Sequence, residues 1–234
     1  MYRRQAPKKV AQYADIADKE LRTKRVPKSV MLRVRPLGEE DNGLKRYERI
    51  PQYSTIIGAC PPKPHLRRPY LTISSVHQHK SAQNYIKAMW LLALECEKVI
   101  QEYMPEQYAL QKQIFEDVPK KWRFGNLFTS SIANYNIAAP YHQDSANIPN
   151  TVNCIITKRK NAKGGNLHVP EFGVAFDQCD NSLVIYPAWK SLHGVTPIRA
   201  TAKGGYRNSL VFYPLKAFWK INQGEAHERR TKNR

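Results

Sequence analysis

His142 and Asp144 are separated by a single residue, and His193 follows 49 positions after the aspartate. On an extended segment, residues i and i+2 face the same side, so the imidazole and the carboxylate converge. Two histidines and one carboxylate form a facial triad, which grips Fe(II) from one side and leaves positions open for a bidentate co-substrate and O2. Arg207 comes fourteen positions after His193, with Ser209 two beyond it on the same face of an expected strand. A guanidinium fork beside a hydroxyl is a suitable socket for a carboxylate, such as the distal one of 2-oxoglutarate. Taken singly, His142 reads equally as a loop histidine, Asp144 as a turn cap, His193 as a satisfied turn histidine and Arg207 as a surface cation. Their coincidence in one chain is what points to oxidative metal chemistry.

Several elements must bring these residues together. Between 81 and 103 the apolar residues Ile86, Met89, Ala93, Cys96, Ile100 and Tyr103 recur at spacings of three and four, which predicts one amphipathic helix with Ser81 as its N-cap. A second helical piece is expected over 106–115. Residues 51–70 hold five prolines and read as an irregular connector. After Val118 the texture turns to short β-type runs, near 127–136, 151–158, 166–170, 174–176, 182–187, 195–199 and 209–214. Lys163-Gly164-Gly165 and Lys203-Gly204-Gly205 are placed as hairpin loops. The fold class read from this is α+β, mainly β: supporting helices first, then a sandwich or jelly roll. The chain divides into a basic arm (1–50), a helical support (51–120), a β core (121–218) and a polar tail (219–234), forming one globular domain.

Charge narrows the partners. The 234 residues carry 38 Lys/Arg against 19 Asp/Glu, a net charge of +19. That balance favours a polyanion, nucleic acid before anionic membrane. The first 35 residues hold eleven basic and three acidic side chains, and Lys158-Arg159-Lys160-x-x-Lys163 is a candidate phosphate-contacting hairpin tip. Trp122, Tyr135, Tyr141 and Trp189 are aromatic candidates for stacking on a base. No apolar run reaches the ~18 residues of a membrane helix, and the N-terminus lacks the apolar core of a secretory signal. The cysteines (Cys60, Cys96, Cys154, Cys179) form no C-x-x-C pair, so reduced thiols in a cytosol-like compartment, without a zinc site, are expected.

Over about residues 122–215 the chain resembles the Fe(II)/2-oxoglutarate oxygenases, and more closely their TET/J-binding-protein branch. The resemblance rests on His142-Gln143-Asp144-Ser145-Ala146-Asn147, on Gly164-Gly165-Asn166-Leu167-His168-Val169-Pro170, on the distal His193, and on Arg207-x-Ser209. It implies a double-stranded β-helix (jelly-roll) core, Fe(II) on His142, Asp144 and His193, and 2-oxoglutarate held by Arg207, Ser209 and His168. It also implies O2 as co-substrate, and Asn147 in contact with the target base. The large insert and Cys-rich module of animal members are absent, so the chain is similar to compact phage-type members and is expected to be monomeric in a bacterial cytoplasm, a phage host included. The implied reaction is hydroxylation of the 5-methyl group of a flipped-out pyrimidine in DNA. 5-Methylcytosine stands first and thymine is the alternative. Rival readings are a 2-oxoglutarate oxygenase acting on a nucleotide, small molecule or protein, and a non-enzymatic basic jelly roll that binds nucleic acid.

Overall fold

The computed structural model describes residues 1–30 and 52–221. The chain opens with β1 (Tyr2–Gln5), α1 (Lys8–Leu21) and β2 (Ser29–Val30). After β3 (Tyr53–Cys60) and β4 (Thr72–Ile73) come α2 (Gln83–Tyr103) and α3 (Pro105–Glu116). Nine strands follow: β5 (Ser130–Tyr135), β6 (Asn153–Lys160), β7 (Ala162–Gly164), β8 (Leu167–Val169), β9 (Val174–Phe176), β10 (Ser182–Tyr186), β11 (Gly194–Val195), β12 (Ile198–Ala200) and β13 (Tyr206–Tyr213). The large sheet runs in the order β1-β10-β6-β13-β5-β3-β2, with β4 beside β3. Two small sheets, β11-β8-β9 and β12-β7, complete the set.

Strand alternation sends successive side chains of the large sheet to opposite sides. Cys154, Ile156, Leu183, Ile185, Leu210 and Phe212 pack against the apolar stripes of α1 and α2. Ile155, Val184 and Val211, one residue out of step with these, meet Leu167 and Val169 of β8 in a second core between the sheets. This is the jelly roll that the strand pattern implied, supported on its back by helices. The inner face is layered by register. Arg207 lies opposite Arg159, Ser209 opposite Thr157 and Asn134, and Val211 opposite Ile155 and Ile132. Ser182 and Val184 of β10 extend the second and third rows.

Three local expectations change. The basic arm is built into the fold for its first thirty residues: β1 pairs with the edge strand β10, and Val10, Ala14, Ala17 and Leu21 of α1 are buried. The period of these residues was masked by the charges between them. The rest of the arm, residues 31–51, and the tail from 222 lie outside the described residues. The connector expected over 51–70 contains a full strand of the large sheet, β3. Its β-branched run Thr55-Ile56-Ile57 is free of proline, and Pro61, Pro62 and Pro64 fall beyond its end. Ser81 does not cap α2. Its hydroxyl donates to the Arg25 carbonyl at 2.6 Å, and the helix starts at Gln83 without a side-chain cap. No described helix is long and apolar enough to cross a membrane. All four cysteines are unpaired thiols.

Candidate active site

The triad forms where two irregular segments touch. The loop after β5 carries His142 and Asp144, and the segment entering β11 carries His193. They are locked by a two-way backbone bridge, with His142 N–H donating to His193 C=O and the reverse, each at 2.9 Å. Asp144 N–H donates to Ala188 C=O at 3.0 Å. One ligand atom from each of the three side chains lies within 4.8 Å of the others. Both imidazoles are oriented from behind: Nδ1 of His142 is 2.7 Å from the Pro140 carbonyl and Nδ1 of His193 is 2.9 Å from that of Ser191. A carbonyl only accepts, so each Nδ1 carries the proton and each Nε2 keeps its lone pair for a metal. Burial, reinforced by the neighbouring His142, lowers the pKa of His193, which favours the neutral form a metal requires. Tyr186 packs edge-on against His193, with ring centres 5.2 Å apart.

Arg207 is the largest side chain with almost no exposure, at 1%. Its one charged neighbour among the described residues is another cation, Arg159. Burial, and then that neighbour, pull the Arg207 pKa down to about 9. Its Nη2 donates to the Gln178 side-chain carbonyl, while its Nε is buried without a partner. Arg159 Nε, Gln178 Nε2, Thr157 Oγ1 and Ser182 Oγ are also buried and unpartnered. A buried guanidinium without a carboxylate is costly, and a cradle of orphaned donors invites an anion. The second glycine of the Gly164-Gly165 pair allows this packing. Gly165 has φ +68°, and a Cβ there would come 3.1 Å from Arg207 Cδ and Nε. Lys163-Gly164 thus belongs to a strand, β7, rather than to a hairpin loop.

The expected site residues divide. His142, Asp144 and His193 converge, and Arg207 and Ser209 share the inner face. His168 goes elsewhere: its neighbours Leu167 and Val169 point into the core, so strand alternation turns its ring outward, where it bonds the hydroxyl of Tyr141. Asn147 is buried, at 4% exposure, with its amide turned to Asn153 rather than to an open pocket. The basic hairpin tip is only partly a tip. Lys158 is buried in ion pairs with Asp15 and Asp180 at 2.6 and 2.9 Å, and Arg159 faces inward, leaving Lys160 and Lys163 exposed. Of the four aromatic candidates, Trp122 is core, tilted against Phe218, and Tyr135 packs on Tyr53 and Tyr206. Trp189 is half-buried, and Tyr141, next to His142, is 56% exposed. Asn153 and Gln178 were not singled out from sequence, and Arg159 was expected only in an exposed phosphate-contacting tip. Only the pairing of β6 with β13 reveals that Asn153 and Arg159 share the face of Arg207.

A jelly roll with a His-Asp-His triad at its mouth and a buried arginine on its inner face defines the 2-oxoglutarate-Fe(II) oxygenase class. Residues 59–216 match the family model Tet_JBP, described as the oxygenase domain of the 2OGFeDO superfamily, and the chain belongs to that family. The family uses Fe(II) and 2-oxoglutarate. No curated protein matches the chain in sequence. Among solved structures, NgTET1 in complex with 5mC DNA is similar at a TM-score of 0.58 and 12% identity, covering 92% of this chain and 70% of that one. A 2OG-Fe(II) oxygenase-family oxidoreductase from Burkholderia pseudomallei aligns at TM-score 0.48 and 13% identity, over 96% of this chain and 86% of that one.

Proposed function

We propose that this protein is a DNA dioxygenase that hydroxylates the 5-methyl group of a pyrimidine, 5-methylcytosine first. His142, Asp144 and His193 would hold the iron. Arg207 with Ser209 would receive the far carboxylate of 2-oxoglutarate, a role supported by the unpartnered Nε and by the lack of a carboxylate partner for Arg207 among the described residues. When bound, iron and the 2-oxoacid supply O2-dependent oxidation of a C–H bond, with succinate and CO2 as by-products. The chain's own part is positioning. The two Pro140 and Ser191 carbonyls aim the imidazoles, and the apolar row of Ile155, Val184 and Val211 keeps water from the inner face.

The observation that carries the nucleic-acid part is where surplus charge meets the triad loop. Gln143 is tied to the Lys190 carbonyl at 2.6 Å, and Ala146 C=O accepts from Lys216 N–H at 3.0 Å. Both lysines are exposed, so two exposed basic residues are anchored through their backbone to the segment that bears His142 and Asp144. In a chain of net charge +19, such groups suit phosphates flanking a base presented to the iron. The base must leave the stack to reach a pocket inside a jelly roll, at a cost of a few kcal/mol. The neighbour NgTET1, solved with 5mC DNA, supports the same substrate class. The test is incubation with Fe(II), ascorbate, 2-oxoglutarate and 5-methylcytosine-containing DNA, followed by digestion to nucleosides and mass spectrometry. One added oxygen on methylcytidine is expected. Added oxygen on thymidine instead would move the target to thymine, and unmodified DNA with uncoupled succinate release would point to another substrate.

A further inference from the structure

We propose that Asn153 and Asn147 form a two-amide relay that holds Asp144 to a single metal-facing oxygen. The inference rests on the reading that the triad binds a metal. Asn153 is the central member. It lies at the start of β6, is 1% exposed, and its Nδ2 donates to Asp144 Oδ2 at 2.9 Å. Its Oδ1 accepts from Asn147 Nδ2, also at 2.9 Å.

The polarity of this chain is dictated by its end. An ionised carboxylate can only accept, so Asn153 must present its NH2 to Asp144 and its carbonyl to the other side. That carbonyl then needs a donor, and the Asn147 amide is the group that provides it. The spacing of Asp144 and Asn147 follows from the same arrangement. Asn147 N–H donates to Asp144 C=O at 2.8 Å, which closes a turn and folds the amide beneath the carboxylate.

The consequence is for coordination. With Oδ2 occupied by Asn153, Oδ1 is the oxygen left toward His142, 3.5 Å from its Nε2. A carboxylate restricted to one oxygen takes one coordination position. One free to turn takes two, and so removes a position that a bidentate 2-oxoacid or O2 needs. Asn153 is therefore a positioning residue for the metal site. Asn147 acts through it, buried under the site rather than in contact with a base.

The experiment titrates the full-length protein with Co(II), without 2-oxoglutarate, and follows the visible spectrum of the bound ion. Asn153→Leu keeps the branched four-atom outline and removes both hydrogen bonds. It is expected to weaken Co(II) binding about 10- to 100-fold and to alter the band shape as Asp144 turns both oxygens to the metal. Asn147→Ala is expected to give a smaller loss in the same direction. The double variant should lose no more than Asn153→Leu alone, because the two act in series. Circular dichroism checks folding, and Asn153→Ser takes the place of the leucine variant if that one does not fold. Wild-type affinity and spectrum in a folded Asn153 variant would overturn the relay. So would an Asn147→Ala protein with unchanged Co(II) binding and weakened affinity for methylated DNA, which would return Asn147 to base contact. Wild-type protein that binds no Co(II), or a His142→Ala variant that binds it equally well, would overturn the metal reading itself and the relay with it.

Discussion

Two buried charges on opposite faces of β13 are treated in opposite ways. On the helix side, Asp18 of α1 is closed by its own fold. Arg22 Nε reaches it at 2.9 Å, Tyr206 Oη donates at 3.0 Å and Asn208 Nδ2 at 2.6 Å. On the inner side, Arg207 sits between those last two residues in sequence, and among the described residues its side chain has the Gln178 amide as partner and a second cation as charged neighbour. Both residues are 1% exposed, so burial does not distinguish them. Satisfaction does: the Asp18 cluster joins the N-terminal helix to the sheet, while Arg207 keeps an unpartnered buried Nε and pairs with no carboxylate among the described residues.

The contrast can be broken at several points. The largest effect is expected at the triad: His142→Ala or Asp144→Ala should reduce 2-oxoglutarate turnover to background while circular dichroism and DNA binding stay near wild type. Retained turnover would remove the triad assignment. The two buried charges should then separate cleanly. Asp18→Ala leaves Tyr206 and Asn208 without their acceptor and should cost about 1–3 kcal/mol of unfolding free energy in urea, with 2-oxoglutarate affinity in the folded protein unchanged. Arg207→Met should do the reverse, losing about 2–5 kcal/mol of 2-oxoglutarate binding by calorimetry with no loss of stability. A destabilised Arg207→Met protein would show that the guanidinium is structural after all.

Smaller effects sharpen the electrostatic side. If six or more phosphates are contacted, DNA affinity should fall by about 10³-fold or more between 50 and 200 mM salt. A flat response would turn attention to a small-molecule or protein substrate. Lys190→Glu and Lys216→Glu should each weaken DNA binding across sequences and lower the logarithmic salt slope by about 1, with 2-oxoglutarate affinity unmoved. Lys160→Glu, farther along β6, serves as the comparison and should change the slope less.

Much of the fold was legible because its signals are local. The stripe from Ile86 to Tyr103 marks α2, and the runs around Asn153 and Ser182 mark β6 and β10 to within two residues. β3 was missed because its flanking prolines dominate the composition of 51–70, and α1 because its buried alanines are small and surrounded by lysines. At the site, the triad and Arg207 could be found by residue type and spacing. That the His168 ring bonds Tyr141 was not legible, because a motif records which residue is present and not which side of a strand it occupies.

What the sequence determined by itself is the chemical inventory: two imidazoles, a carboxylate, an arginine and a surplus of cations, on a chain whose hydrophobic periods require helices and then strands. What only the tertiary structure decided is which groups meet. A strand's side chains alternate, so a register shift of one residue exchanges its buried and exposed sets. Register is set by partners far away in the chain. Whether Arg159 joins Arg207, whether Asn153 reaches Asp144 and whether Lys158 is spent on Asp15 are outcomes of long-range pairing, and no window of neighbouring residues contains them.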